Sequence, residues 1–166
     1  MNRLVAATAL CLSLTLPAMA DGKIYVQLPD LSSYTGKQAE DFLYQVVLAN
    51  VVASNCEGYE VTDEEWSLLT DSADLLAYGQ LNLNSNSYDD DYYKPAFDAL
   101  DEATTCQAEG PAVEAILEDL ESHGGSRVAL PDQDAAYVEW RALMDKLQAQ
   151  ANGEQPAAPT GKTKQK

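Results

Sequence analysis

The sequence predicts an all-α fold: a small bundle of about five helices with one disulfide, preceded by a short extended N-terminal arm. Three observations point there. Apolar residues recur at helical spacing in successive stretches, each bounded by glycine, proline or a capping residue. Only one short segment alternates as a strand would, so no partner exists to build a sheet. Cys56 and Cys106 both fall at predicted helix ends, where a bundle can bring them together.

The chain opens with a leader. Asn2 and Arg3 carry one positive charge, Leu4 to Leu16 is apolar and uncharged, and Ala18-Met19-Ala20 forms a small-residue cleavage signal before Asp21. That run is too short to span a bilayer and polar sequence follows at once, so residues 1–20 are expected to be a cleaved signal peptide. Cys11 lies mid-run after the bulky Leu10, which argues against a lipid anchor. The expected destination is an oxidising compartment, a bacterial periplasm, with no membrane insertion of the mature form.

Lys23 to Leu28 alternates Ile24, Val26 and Leu28 and is read as an arm packed on helices. The first helix is predicted from about Gly36 to Ser54, with Thr35 and Gln38 as a capping box. Ala39, Phe42, Leu43, Val46, Val47 and Val51 make its stripe, and Leu48 and Val52 widen it, marking the central element. Thr62 to Glu65 is a second capping box. It opens a helix with Trp66, Leu69, Ala73 and Leu76 inward, closed at Tyr78-Gly79. Gln80 to Asp91, rich in Asn and Ser, is predicted to be loop.

Asp90 or Asp91 is expected to cap the third helix, with Tyr93, Ala96, Phe97 and Leu100 inward and Cys106 at its end. Pro111 suits the first turn of a fourth helix, buried through Val113, Ile116, Leu117 and Leu120 and stopped at Gly124-Gly125. A fifth runs from about Asp132 to Gln150 and presents Ala136, Trp140, Leu143, Met144 and Leu147. Residues 21–150 are thus one helical domain, and 151–166, with Pro156, Pro159 and three lysines, has the composition of a disordered tail.

Two cysteines remain after the leader. With no C-x-x-C and a single histidine, a structural disulfide is favoured over redox or zinc chemistry. If consecutive helices run antiparallel, the first and third point the same way and their C-terminal ends carry Cys56 and Cys106 to one face. The bond would close a loop of 50 residues, and the chain-entropy model assigns such a loop about 4 kcal/mol.

Charge is the other constraint. Between Asp21 and Gln150 stand 26 acidic residues against 6 basic ones, a balance of −20. Such a field repels nucleic acid and anionic lipid and attracts basic partners. Tyr88, Asp89, Asp90, Asp91 and Tyr92 combine acids with aromatics and are the candidate interaction surface. The alternating Asn82, Asn84 and Asn86, followed by three aspartates, also offer hard oxygens for Ca²⁺. The EF-hand pattern fails, because the sixth position lacks Gly and Tyr93 stands where the bidentate Glu belongs. His123 is placed to cap a helix C-terminus, and Glu114, Glu118 and Glu121 read as a solvated helix face. No nucleophile–base set, c-type haem motif or phosphate loop is present, so neither an enzyme nor a cofactor is expected.

The run from Cys56 to Leu76, C-x-G-Y-x-V-T-x-E-E-W-x-L-L-T-x-x-A-D-L-L, resembles small secreted alphaproteobacterial proteins of unknown function. The resemblance implies export and a helical domain and brings no catalytic residues. The functional expectation is an exported, non-enzymatic module that binds a basic periplasmic protein or envelope component, with an immunity or inhibitor protein as its specific form. The alternative is a Ca²⁺ or small-ligand module centred on Asn82 to Asp91.

Overall fold

Ala39, Leu43, Val46, Val47 and Val52 are completely or almost completely removed from solvent on α1 (Gly36–Asn55), which therefore runs through the middle of the protein as its apolar surround requires. The computed structural model describes residues 22–153. The expected signal peptide, residues 1–20, and all but the first three residues of the expected tail lie outside the described residues. The fold is all-α, with one disulfide.

After α1 come α2 (Asp63–Asp74), extended by a π-helical turn (Leu75–Gln80), and α3 (Ser85–Tyr88), which passes through a second π-helical turn (Asp89–Tyr93) into α4 (Lys94–Ala99). The last helices are α5 (Thr105–Ser122) and α6 (Gln133–Ala151). Because α3, its π turn and α4 form one rod, the described residues build five rods, as the periodicity predicts.

Several boundaries differ from the sequence expectation. The Thr62 box is made, with Glu65 N donating to Thr62 Oγ1 at 3.2 Å and Thr62 N to Glu65 Oε2 at 2.9 Å. The Thr35 box is not: Thr35 makes no side-chain cap, and Gly36 takes the entry turn with a left-handed φ of 51°. The expected loop from Gln80 to Asp91 shrinks to residues 81–84. Asn84 rather than Asp90 or Asp91 caps the third rod, accepting from Ser87 N at 3.0 Å. Burial of Tyr88 between Tyr78 and Tyr93 holds that polar stretch helical.

Pro111 lies inside α5, not at its start, and Cys106 sits in that helix's first turn instead of ending the third rod. The third rod stops at Ala99, and the Thr105 hydroxyl donates back to the Ala99 carbonyl, starting α5 six residues ahead of the proline. The Cys56–Cys106 bond forms, with Cα atoms 5.5 Å apart, but by a different route. It links the end of α1 to the start of α5, and these two helices lie antiparallel as the most extensive helix pair. Trp66 and Phe97, expected inward, are 40% and 50% exposed.

The arm behaves as expected and finds a partner besides. Val26 forms an antiparallel bridge with Ala129, Leu130 N donates to Tyr25 O at 2.9 Å and Ser126 N to Gln27 O at 3.0 Å. Gln133 closes both backbone groups of Tyr25, accepting from its N–H at 2.8 Å and donating to its carbonyl at 2.9 Å. The segment between α5 and α6 is thus what the arm pairs with. Helix α6 rests mainly on the π turn of α2, where Gly79 lets Leu147 approach.

Candidate functional site

The residues singled out for a surface do not all reach it. Tyr88 is 4% exposed and belongs to the core, stacked edge-on with Tyr78 and tilted against Tyr93. Its neighbours Asp89, Asp90 and Asp91 are exposed on the π turn, and Tyr92 is half-buried. Asp89 and Asp90 pair with Lys94, which leaves Asp91 beside Tyr92. Burial first, then the charges of Glu40, Asp91 and Asp41, push the Tyr92 hydroxyl pKa up. The start of α1 therefore contributes two carboxylates to this acidic edge, a convergence that sequence order does not reveal.

The metal reading loses its loop. Asn84 is committed to the α3 cap, Asn86 is helical, and the aspartates lie on successive helical residues, so their carboxylates fan out. Among the described residues no group of three or more His, Cys, Asp or Glu side chains is arranged to hold an ion.

His123 caps α5 as expected. Its Nδ1 lies 2.9 Å from the Asp119 carbonyl, and its ring packs against Tyr34. Ser122 Oγ also faces Nδ1, at 3.2 Å, so serine and backbone share one ring nitrogen. A triad needs its nucleophile on one nitrogen and its orienting acid on the other, and this arrangement does not provide that. Glu114 and Glu121 are not an idle face: with Glu65 they surround Arg127, whose Nη1 is 3.2 Å from Glu65 and 2.9 Å from Glu114, and whose Nε is 3.0 Å from Glu121. That cluster ties the α5–α6 connection to α2 and α5.

A buried polar cluster lies elsewhere, along α2 and the π turn that extends it. Ser67, Asp71, Asp74 and Tyr78 are spaced by four, three and four residues, so they share one helix face, and Ser67 and Asp71 are buried. The arm covers this face. Lys23 Nζ lies 2.5 Å from Asp71 Oδ1, 3.8 Å from the Trp140 ring centroid and 5.5 Å from that of Tyr25. The ammonium is thus held by a carboxylate and two aromatic faces.

Two carboxylates share that single cation. Burial raises the Asp71 pKa even against the pull of Lys23. Asp74 is pushed up to about 7, chiefly by burial and then by the neighbouring Asp71 charge. Tyr88, buried beside Tyr93 and Asp74, is raised strongly by loss of solvent. Asp71 Oδ2 and Trp140 Nε1 are buried without completing a hydrogen bond, although the indole lies near enough to favour the charged carboxylate. A shallow cleft lined by Lys23, Trp66 and Ser67 adjoins the cluster.

Sequence reasoning passed over this site because it assigned α2 an apolar face through Trp66 and Leu69. The signal was present: four polar residues at helical spacing on a helix otherwise rich in leucine and alanine. No protein-family model, curated protein or solved structure matches this chain.

Proposed function

We propose that the chain is an exported, non-enzymatic interaction module whose acidic, tyrosine-bearing edge binds a basic protein or envelope component. The edge comprises Asp89, Asp90, Asp91 and Tyr92 with Glu40 and Asp41 beside them. One observation carries the reading. Among the described residues Lys23, Lys37, Lys94, Arg127 and Arg141, five of the six basic side chains, each face a carboxylate of this chain within ion-pair distance, so that positive charge is consumed internally. At the edge itself Lys37 and Lys94 offset two of the five carboxylates, and the surplus projects a negative field that steers a cationic partner and accelerates its encounter. An immunity or inhibitor protein against a cationic toxin or hydrolase is the specific form, since blocking needs surface complementarity and no chemistry. Tyr92 supplies apolar area with a polar tip, as interface tyrosines do.

The test is capture from periplasmic extract at low salt, using the full chain and two variants of equal charge. One neutralises Asp89, Asp90 and Asp91 to Asn; the other neutralises Glu118, Asp134 and Glu139 to Gln, Asn and Gln. Loss of a salt-sensitive partner in the first variant alone supports the reading. Equal loss in both reduces the effect to net charge and removes the edge as a site, and no captured partner removes the proposal.

A further inference from the structure

The Lys23–Asp71 contact differs from the other lysine–carboxylate pairs among the described residues. Lys37–Asp41 and Lys94–Asp90 are well solvated, with side chains 57% exposed or more, and water screens both pairs. Lys23 and Asp71 are 11% and 1% exposed, with the amine nitrogen 2.5 Å from the carboxyl group. A second acid, Asp74, stands one helical turn away on the same face. An amine and an acid held in contact, sheltered from water and served by a neighbouring proton carrier, are the reactants of an amide.

We propose that Lys23 and Asp71 condense into an intramolecular isopeptide bond that ties the N-terminal arm covalently to α2, with Asp74 as the group that moves the proton. The step starts when the carboxyl of Asp71, whose proton affinity burial raises, takes the proton from Nζ, so that an amine faces a carboxylic acid. Nζ attacks Cγ, the C–N bond forms, and the carbonyl electron pair moves onto oxygen. The buried Trp140 indole N–H, which completes no other hydrogen bond, is available to that oxygen. Asp74 gives its proton to the departing hydroxyl, the C–O bond breaks and water leaves; the Asp74 carboxylate then takes the surplus proton from nitrogen and is restored. One amine and one acid become one amide and one water, with nothing oxidised or reduced. Because Asp74 holds its proton near neutral pH, it can act in both directions. Burial also keeps bulk water from the bond once it is made.

The bond is independent of the binding role proposed above. Its test is the intact mass of the full chain, reduced and denatured, followed by tryptic mapping. The expected product is one water lighter than its sequence, resists cleavage after Lys23, and yields a branched peptide joining the arm to the segment bearing Asp71. Lys23→Arg retains a cation that cannot condense and should restore the full mass. Asp74→Asn should slow condensation by at least about a hundredfold, the usual contribution of a placed acid–base group, and accumulate the open chain. Wild-type protein of full mass, cut normally after Lys23, overturns the proposal without recourse to any variant. Asp74→Asn condensing as fast as wild type removes Asp74 from the step.

Discussion

Replacing Asp74 by Asn should abolish an inverted relation between acidity and stability at this site. Asp74 titrates near 4 when unfolded and at about 7 in the folded protein, because burial penalises its charge and Asp71 repels it. The folded state therefore binds the extra proton between those values, and stability falls as pH rises across that window. The favourable contribution is complete below the unfolded pKa and gone once the pH passes the folded one. Between pH 5 and 8 about two pKa units of this shift are traversed, worth about 3 kcal/mol at most, and about half that once partial solvent access is allowed for. Asn keeps the shape and cannot ionise. Urea unfolding at the two pH values should show wild type losing about 1.5–3 kcal/mol more than Asp74→Asn on going from pH 5 to 8. Titrating groups that do not interact with Asp74 cancel in that difference. The sign survives if Asp71 is amidated, since burial is the larger cause. Equal pH dependence in the two proteins would refute the reasoning and place the Asp74 carboxyl in water.

Other consequences are read by the same unfolding assay at fixed pH. Changing Cys56 and Cys106 together to Ser should cost about 4 kcal/mol, from the loop of 50 residues that the bond closes; an unchanged midpoint would mean the unfolded chain gains no freedom. Gly110→Ala should cost about 1–3 kcal/mol, because a Cβ there enters the ring of Tyr59, which must shift from its place over α5. Thr62→Ala removes the hydroxyl that accepts from Glu65 N and should cost about 1 kcal/mol, whereas Thr35→Ala, at a position that makes no cap, should cost far less.

Helix periods, the Thr62 box and the cysteine pair were legible because each has a simple sequence mark: a face repeats every turn, a cap reaches three residues on, and Cys56 and Cys106 stand near helix ends. The ends of rods were less so. Gln80 to Asp91 has the composition of a loop, but the burial of Tyr88, 4% exposed, recruits most of it into helix. Pro111 marks a helix start in isolation, yet the disulfide and the Thr105 hydroxyl begin α5 earlier. The same cysteines were paired correctly through a wrong neighbour relation, since α5 rather than the third rod lies against the end of α1.

The acidic edge was half visible. Asp89, Asp90 and Asp91 are adjacent in sequence, but Glu40 and Asp41 join Asp91 only because α1 passes the π turn. Tyr88 looked like a contact residue because its neighbours are charged, and it is a core residue because its ring meets Tyr78 and Tyr93.

Composition and pattern alone determined an all-helical chain with a net charge of −17 and one disulfide, because hydrophobic period, net charge and the placing of Cys56 and Cys106 near helix ends are properties of the chain before it folds. Only the tertiary structure decided that Lys23 crosses 48 residues of sequence to reach Asp71. A helix can carry a polar stripe inward only if another element arrives with the opposite charge, and which element arrives is settled by how the arm, α2 and α6 pack.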